Sequence, residues 1–323
     1  MDAVKPLTIS KRIPLKTRFP ETLLSHQLEK SKSSWIVYAP YLSVDMFNDM
    51  DSYVGSPSRL LDAWQVGEYE VALMAGRLTP RHEAILSELQ VDFATLCDVP
   101  DLNKPGVIVL DMDSTAIQIE CIDEIATLAG VGVQVAAVTE RAMQGELDFE
   151  QSLRQRVGAL KGADESILSA VRADLPMMPE LREMIKTFQL RGWKTAIASG
   201  GFTYFSDFLK QELSLDYAQS NTLEIIDGKL TGEVIGDIVD AEMKADILQS
   251  LAEEYDIEPH NTIAVGDGAN DLVMMHAAGL GIAYHAKPKV EEAAQVAIRF
   301  AGLGGVICIL SGLLAKQKRV SWS

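Results

Sequence analysis

The chain has 323 residues, with 29 Lys and Arg against 46 Asp and Glu, a net charge of −17 and a 47% hydrophobic content. That length fits about two domains, and the composition excludes wholesale disorder and coiled coil. The excess of carboxylates excludes a broad nucleic-acid footprint and any general attraction to anionic membranes, so an anionic ligand must meet a local cationic site.

The first twenty residues carry Lys5, Lys11, Arg12, Lys16 and Arg18 but no apolar core of the secretory kind. Trp35–Ala39 and Tyr69–Met74 predict short strands, and Ser58–Trp64 and Pro80–Leu89 predict helices, the second with Thr79 as N-cap and Pro80 in first place. Residues 1–100 are therefore expected to form a small α+β module. Two prolines and polar residues in Asp98–Pro105 mark its boundary with residues 104–323. A chain starting near Asn103 is expected to fold by itself.

Val107–Leu110, Thr195–Ala198 and Thr262–Val265 are short apolar runs separated by helical patterns, the signature of buried parallel strands in an α/β fold. Gly281–Tyr284 and Val296–Ile298 extend the series. Leu223–Ile226 and Lys229–Val234 flank Asp227-Gly228 as a hairpin. Between the first two runs, Cys121–Leu190 is helical throughout, broken at Gly130 and Gly145, and is expected to cap the sheet's edge. Ala301–Ala315 is apolar but too short and Gly-rich to span a membrane, which takes ~20 residues. Cys97, Cys121 and Cys308 are odd in number, distant and in no metal-binding spacing, which predicts a soluble protein of a reducing cytoplasm.

Each of the three main strands ends in polar residues: Asp111-Met-Asp-Ser-Thr115, Ser199-Gly-Gly201 and Gly266-Asp-Gly-Ala-Asn-Asp271. Any one of them could be an ordinary helix cap or βα turn. All three at carboxyl ends of strands converge on a site. Asp111, Asp113, Asp267 and Asp271 supply oxygen donors without nearby His or Cys, which suits Mg²⁺. Ser199-Gly-Gly201 leads into a helical pattern at Phe202–Leu209, a place for an anion.

Lys244 lies among Ile247, Leu248 and Leu251 on one helix face, where it either snorkels at the core's edge or meets a phosphate. Arg156 shares a face with Phe149, Leu153 and Leu160, and needs an acceptor that is either structural or a ligand carboxylate. Glu120 is either a charge at a helix N-terminus or a ligand contact.

In order and spacing, Asp111-Met-Asp-Ser-Thr115, Ser199-Gly-Gly201, Lys244 and Gly266-Asp-Gly-Ala-Asn-Asp271 resemble the haloacid-dehalogenase (HAD) superfamily of phosphatases. More narrowly, they resemble its phosphoserine-hydrolysing branch, in the bacterial form with an N-terminal extension. The similarity runs from about Lys104 to the C-terminus. It implies a Rossmann-like parallel sheet with a helical cap at about 120–190. The implied activity is Mg²⁺-dependent hydrolysis of O-phospho-L-serine through an aspartyl-phosphate, the last step of serine biosynthesis.

The resemblance makes Asp111 the nucleophile and Asp113 the acid, then base. The carboxylates of Asp111 and Asp267 and the carbonyl of Asp113 become metal ligands, with Asp271 supporting that shell or Lys244. Ser199, the Gly200 N–H and Lys244 become phosphoryl contacts. Asn270 adds a substrate hydrogen bond, Glu120 takes the ammonium and Arg156 the carboxylate, and Met143 and Phe149 close over them. For residues 1–100 it suggests a regulatory, ACT-like module, although no clear ACT signature is present, and a homodimer is left open. A P-type ATPase would need membrane helices, and neither a P-loop nor a thiol-phosphatase motif occurs. The alternatives are a same-fold phosphatase for another phosphorylated amino acid and an amino-acid sensor with a vestigial hydrolase.

Overall fold

A computed structural model describes residues 4–25 and 33–323. The N-terminal part comprises β1 (Ile9–Ser10), α1 (Ile13–Arg18), β2 (Trp35–Ala39), α2 (Val44–Val54), β3 (Leu60–Val66), β4 (Tyr69–Met74), α3 (Pro80–Glu88) and β5 (Asp92–Thr95). Its strands form one antiparallel sheet in the order β1-β3-β4-β2-β5. From β2 onward the succession is the βαββαβ of ferredoxin-like folds.

The helix expected at Ser58–Trp64 is instead β3. Leu60 and Trp64 stand four apart, as on a helix face. In the strand a bulge between Leu60 and Asp62 shifts the two-residue alternation, so that Leu60 and Trp64 enter different cores on opposite faces of the sheet. Pairing with β4 then overrides the local pattern.

The remainder begins with β6 (Val107–Leu110) and five helices, α4 (Cys121–Leu128), α5 (Gly132–Met143), α6 (Phe149–Ala159), α7 (Ser166–Ala173) and α8 (Leu181–Leu190). It continues with β7 (Lys194–Phe202), α9 (Thr203–Leu213), β8 (Tyr217–Ile226), β9 (Lys229–Ile235), α10 (Ala241–Glu254), β10 (Thr262–Gly266) and α11 (Leu272–Ala277). β11 (Leu280–Tyr284), α12 (Pro288–Ala293), β12 (Val296–Ile298) and α13 (Gly304–Lys316) complete it. The sheet order is β12-β11-β10-β6-β7-β8-β9, parallel except for the hairpin strand β9.

The chain leaves β6 toward β7 and β8 on one side and returns to β10, β11 and β12 on the other. That reversal is a topological switch point, and it opens a crevice at the carboxyl end of β6. Along β6, Val107 and Val109 pack with α10 and α11, whereas Ile108 and Leu110 face the opposite layer.

Of the five helices in the expected cap, α4 to α7 lie over the sheet's edge. The last, α8, packs on β7 and α13 and so belongs to the core layer. α6 opens with a capping box in which the Asp148 carboxylate accepts from the Gln151 N–H and the Gln151 side chain accepts from the Asp148 N–H. Among the described residues no helix is long and apolar enough to cross a membrane.

The two parts are less separable than the linker suggested. α13 is almost wholly buried, and it lies on the N-terminal sheet. A stripe of small residues permits the approach: a methyl added at Gly305 would lie 3.3 Å from Tyr38, and one at Gly312 would lie 2.5 Å from Leu96. The Trp64 Nε1–H donates to Ser311 Oγ at 2.8 Å. Before α13, the buried Asp92 carboxylate accepts the N–H groups of Arg299, Phe300 and Ala301 at 2.7, 3.1 and 2.7 Å. Ile36, Tyr38, Trp64 and Leu73 thus share one apolar core with Ile108, Leu110 and Ile309.

Candidate active site

Three parallel strands deliver the acidic and hydroxyl groups. Asp111 follows β6, Ser199 lies near the end of β7, and Asp267 follows β10. With Asp113, Glu120, Phe149, Arg156, Gly200 and Asn270, among others, they line a cavity of about 110 Å³ between sheet and cap. Lys244 does not line it. It is 1% exposed behind the wall, 3.0 Å from Asp111 Oδ1 and 2.7 Å from Asp271 Oδ1. Burial alone would lower its pKa, but the two carboxylates more than offset this and hold it protonated.

Asp111, Asp267 and Asp271 each place an oxygen so that all three lie within 4.8 Å of one another. Burial, then repulsion from Asp111 and Asp271, pushes Asp267 up to about 7. Burial and Asp111 also raise Asp271, against the pull of Lys244. A divalent cation would relieve this stored repulsion, and an all-oxygen donor set fits a hard ion such as Mg²⁺. Both Asp271 oxygens already have partners, Oδ1 in Lys244 and Oδ2 in the Gly268 N–H at 3.0 Å. Asp267 is steered by the Thr115 hydroxyl at 3.1 Å.

Asp113 stands apart from that triplet and faces the Cys121 N–H at 3.4 Å. Burial, with Glu120 and Asp111 nearby, pushes it up to about 8, so its carboxyl is a proton donor at neutral pH.

The anion cradle differs from the expected helix N-terminus. Ser199-Gly-Gly201 is a bulge inside β7, which pairs with β8 up to Ala198 and resumes at Phe202, and α9 starts only at Thr203. The Gly201 N–H donates to Ser199 Oγ at 3.0 Å, which leaves the hydroxyl proton of Ser199 for a ligand.

The cap end of the cavity carries opposite charges. Ser114, in left-handed conformation (φ 55°), donates its hydroxyl to Glu120 Oε1 at 2.7 Å. Arg156 is half-buried, and its buried Nε has no partner among the described residues. Desolvation lowers its pKa, against the pull of Asp123 and Glu120. Arg154 points outward to Glu150, as the helical face requires. Phe149 seats against Gly200, where a methyl would fall 2.6 Å from its Cζ. Met143, expected to close over the ligand, is 72% exposed at the end of α5 and does not line the cavity.

Sequence reasoning missed Asn221, whose amide bonds the Gly200 carbonyl and the Val239 N–H and which lies ahead of the strand expected from Leu223. Ile122 was missed because the motifs around it are polar, whereas Leu153 was already on the Arg156 face.

The haloacid dehalogenase-like hydrolase family matches residues 105–279, and a domain of unknown function, DUF5609, matches residues 31–95. The chain is 66% identical to the phosphoserine phosphatase of Vibrio cholerae serotype O1, over 100% of this chain and 98% of the relative. The unliganded crystal structure of a probable phosphoserine phosphatase from Vibrio cholerae superposes with a TM-score of 0.94 at 66% identity, covering 100% of each chain. A substrate-bound phosphoserine phosphatase complex matches at 42% identity and a TM-score of 0.58, over 61% of this chain and 93% of its own.

Proposed function

The chain belongs to the haloacid dehalogenase-like hydrolases, and from that membership we propose how its cavity hydrolyses O-phospho-L-serine. The activity is that of a phosphoserine phosphatase, a phosphoric monoester hydrolase. The observation that carries the residue roles is one cavity with two chemically distinct ends. Asp111, Asp267 and Ser199 stand at one, and Glu120 with Arg156, whose Nε has no partner among the described residues, at the other.

Phosphate enters the sheet end, where the Ser199 hydroxyl and the Gly200 N–H donate to its oxygens. From behind the wall the Lys244 ammonium holds Asp111 and Asp271 with two of its three N–H donors, and its positive charge beside Asp111 favours the incoming phosphoryl oxygens, toward which the third can turn. An Asp111 oxygen attacks phosphorus, the ester P–O bond breaks, and Asp113 gives its proton to the departing serine oxygen. Asp113, now ionised, takes a proton from water as that water attacks the aspartyl-phosphate. Phosphate leaves and Asp111 is restored. Mg²⁺, held by Asp111, Asp267 and the Asp113 carbonyl, would offset the negative charge gathered there.

Asn270 contributes a substrate hydrogen bond. At the cap end Glu120 receives the ammonium and Arg156 the carboxylate, while Phe149 screens the reacting atoms from water. A reducing cytoplasm, which keeps Cys97, Cys121 and Cys308 as thiols, is the proposed compartment. The ferredoxin-like succession from β2 to β5 supports a regulatory reading of residues 1–100.

Phosphate release from a panel of small phosphorylated metabolites, with Mg²⁺ and with chelator, tests the reading. Phosphoserine should lead the panel and require the ion. With beryllofluoride the phosphate mimic should form on Asp111 and not in Asp111→Asn; an adduct on Ser199 or Ser114 would overturn the mechanism.

A further inference from the structure

We propose that Asn221 is a positioning residue for the phosphate site, holding the Ser199 loop and the start of the Lys244 helix in one fixed relation. This rests on the phosphoryl-binding reading of Ser199, Gly200 and Lys244 above.

Asn221 lies in β8, fully buried, opposite Phe202, where β7 and β8 resume pairing after the bulge. Its Nδ2 donates to the Gly200 carbonyl at 2.8 Å, and its Oδ1 accepts the Val239 N–H at 2.8 Å. The two partners fix the amide's orientation, since only nitrogen can donate to a carbonyl and only oxygen can accept from an N–H. Each partner leads directly to a proposed ligand group. The Gly200 carbonyl belongs to the Gly200–Gly201 peptide, whose N–H donates to Ser199 Oγ, in a bulge that lacks its own ladder bonds and so needs support from elsewhere. Val239 precedes Asp240, which caps α10 by accepting the Met243 N–H at 2.9 Å, and whose carbonyl accepts the Lys244 N–H at 3.0 Å.

One side chain therefore spans two segments, far apart in sequence, that present the serine hydroxyl and the ammonium. Thr222, next along β8, meets Thr203 at a weak 3.5 Å and gives no comparable tie. A small displacement of groups aimed at a transferring phosphoryl lowers rate steeply, about a hundredfold for 1 Å.

The test uses the full-length protein and inorganic phosphate, the product, as probe. Asn221→Asp keeps the size and the acceptor but cannot donate when ionised; Asn221→Leu loses both bonds. Leu86→Ala, in the N-terminal core, serves as a destabilised control remote from the site. Both Asn221 variants should weaken phosphate binding about 10- to 100-fold and lower kcat, while inhibition by free L-serine stays near wild type. Leu86→Ala should melt earlier with phosphate affinity unchanged.

Wild-type phosphate affinity in either folded Asn221 variant would overturn the proposal, as would equal losses in phosphate and serine binding. Ser199→Ala separates the two levels. If it too leaves phosphate affinity unchanged, the phosphate-site reading fails; if it weakens phosphate and the Asn221 variants do not, only the positioning role fails. Should neither variant fold, the wild-type Asn221 side-chain amide resonance decides: beryllofluoride should shift it, and no shift refutes the proposal.

Discussion

Replacing Arg156 by alanine separates recognition from architecture. The side chain is half-buried, its Nε lacks a partner among the described residues, and burial already disfavours its charge. Desolvation outweighs the pull of Asp123, Glu120 and Asp113 on this cation, and an incompletely satisfied buried charge costs stability rather than supplying it, so Arg156→Ala should melt no lower than wild type. A substrate carboxylate would complete the pair, and removing one member of a desolvated charge pair costs about 2–5 kcal/mol, or about two to three decades in affinity. The kcat/KM for phosphoserine should therefore fall about 10²- to 10³-fold. Phosphoethanolamine, which has no carboxylate, should be hydrolysed by the variant nearly as well as by wild type. Steady-state kinetics on both esters, beside a thermal melt, give the answer. Equal losses on the two esters that track a lowered Tm would refute the recognition role.

Asp113→Asn should slow phosphoserine turnover by about 10²- to 10⁴-fold yet spare a nitrophenyl ester, whose leaving group needs no proton; equal single-turnover losses would remove Asp113 as the acid. Asp113 is raised to about 8 and Asp267 to about 7, so the metal-free folded state binds more protons than the unfolded chain between about pH 4 and pH 8. Metal-free stability should consequently fall as pH rises through that window. Mg²⁺ should raise Tm more at pH 8 than at pH 5, and calorimetry showing an equal gain at both would contradict this. A chain starting at Asn103 should aggregate. Exposing three or four large apolar side chains costs about 1.5–3 kcal/mol each, comparable with the typical 5–15 kcal/mol stability of a domain. A soluble monomer with the wild-type Tm would show that α13 needs no cover.

The parts of the fold that were legible depend on local pattern. β6 and β12 fall on their expected residues because fully buried parallel strands leave short apolar runs with sharp polar ends. The α6 capping box follows from three residues of spacing. β3 is hidden because its bulge switches which face the alternating residues occupy, so no regular two-residue pattern runs through Leu60–Val66. β7 runs on past Ser199 because a partner strand, invisible locally, recaptures it at Phe202. Charged residues in motifs announce themselves, whereas Asn221 gains its meaning only when Gly200 and Val239 are brought to either side of it. The partner of α13 was equally hidden: an apolar helix shows that it is buried, not what buries it.

That partner bears on the cap. The cap joins the core through two segments, around Ala116–Gln118 and Pro176–Met178, which pair with each other through an Ile117–Met177 bridge. Met178 N–H donates to the Ala116 carbonyl and Gln118 N–H to the Pro176 carbonyl, both at 2.9 Å. The returning segment ends at Glu180, held in left-handed conformation at φ 65°. Its carboxylate accepts the Tyr69 hydroxyl at 2.9 Å and the Gly304 N–H at 3.0 Å. Tyr69 in turn accepts the Gly302 N–H at 2.9 Å. One carboxylate thus ties together the N-terminal sheet, the start of α13 and the foot of the cap. The substrate-bound phosphatase matches only 61% of this chain while using 93% of its own, so the extra length is not a requirement of the chemistry. Its physical contribution here is to cover α13 and to brace the base of the cap, from which Glu120 and Arg156 line the cavity.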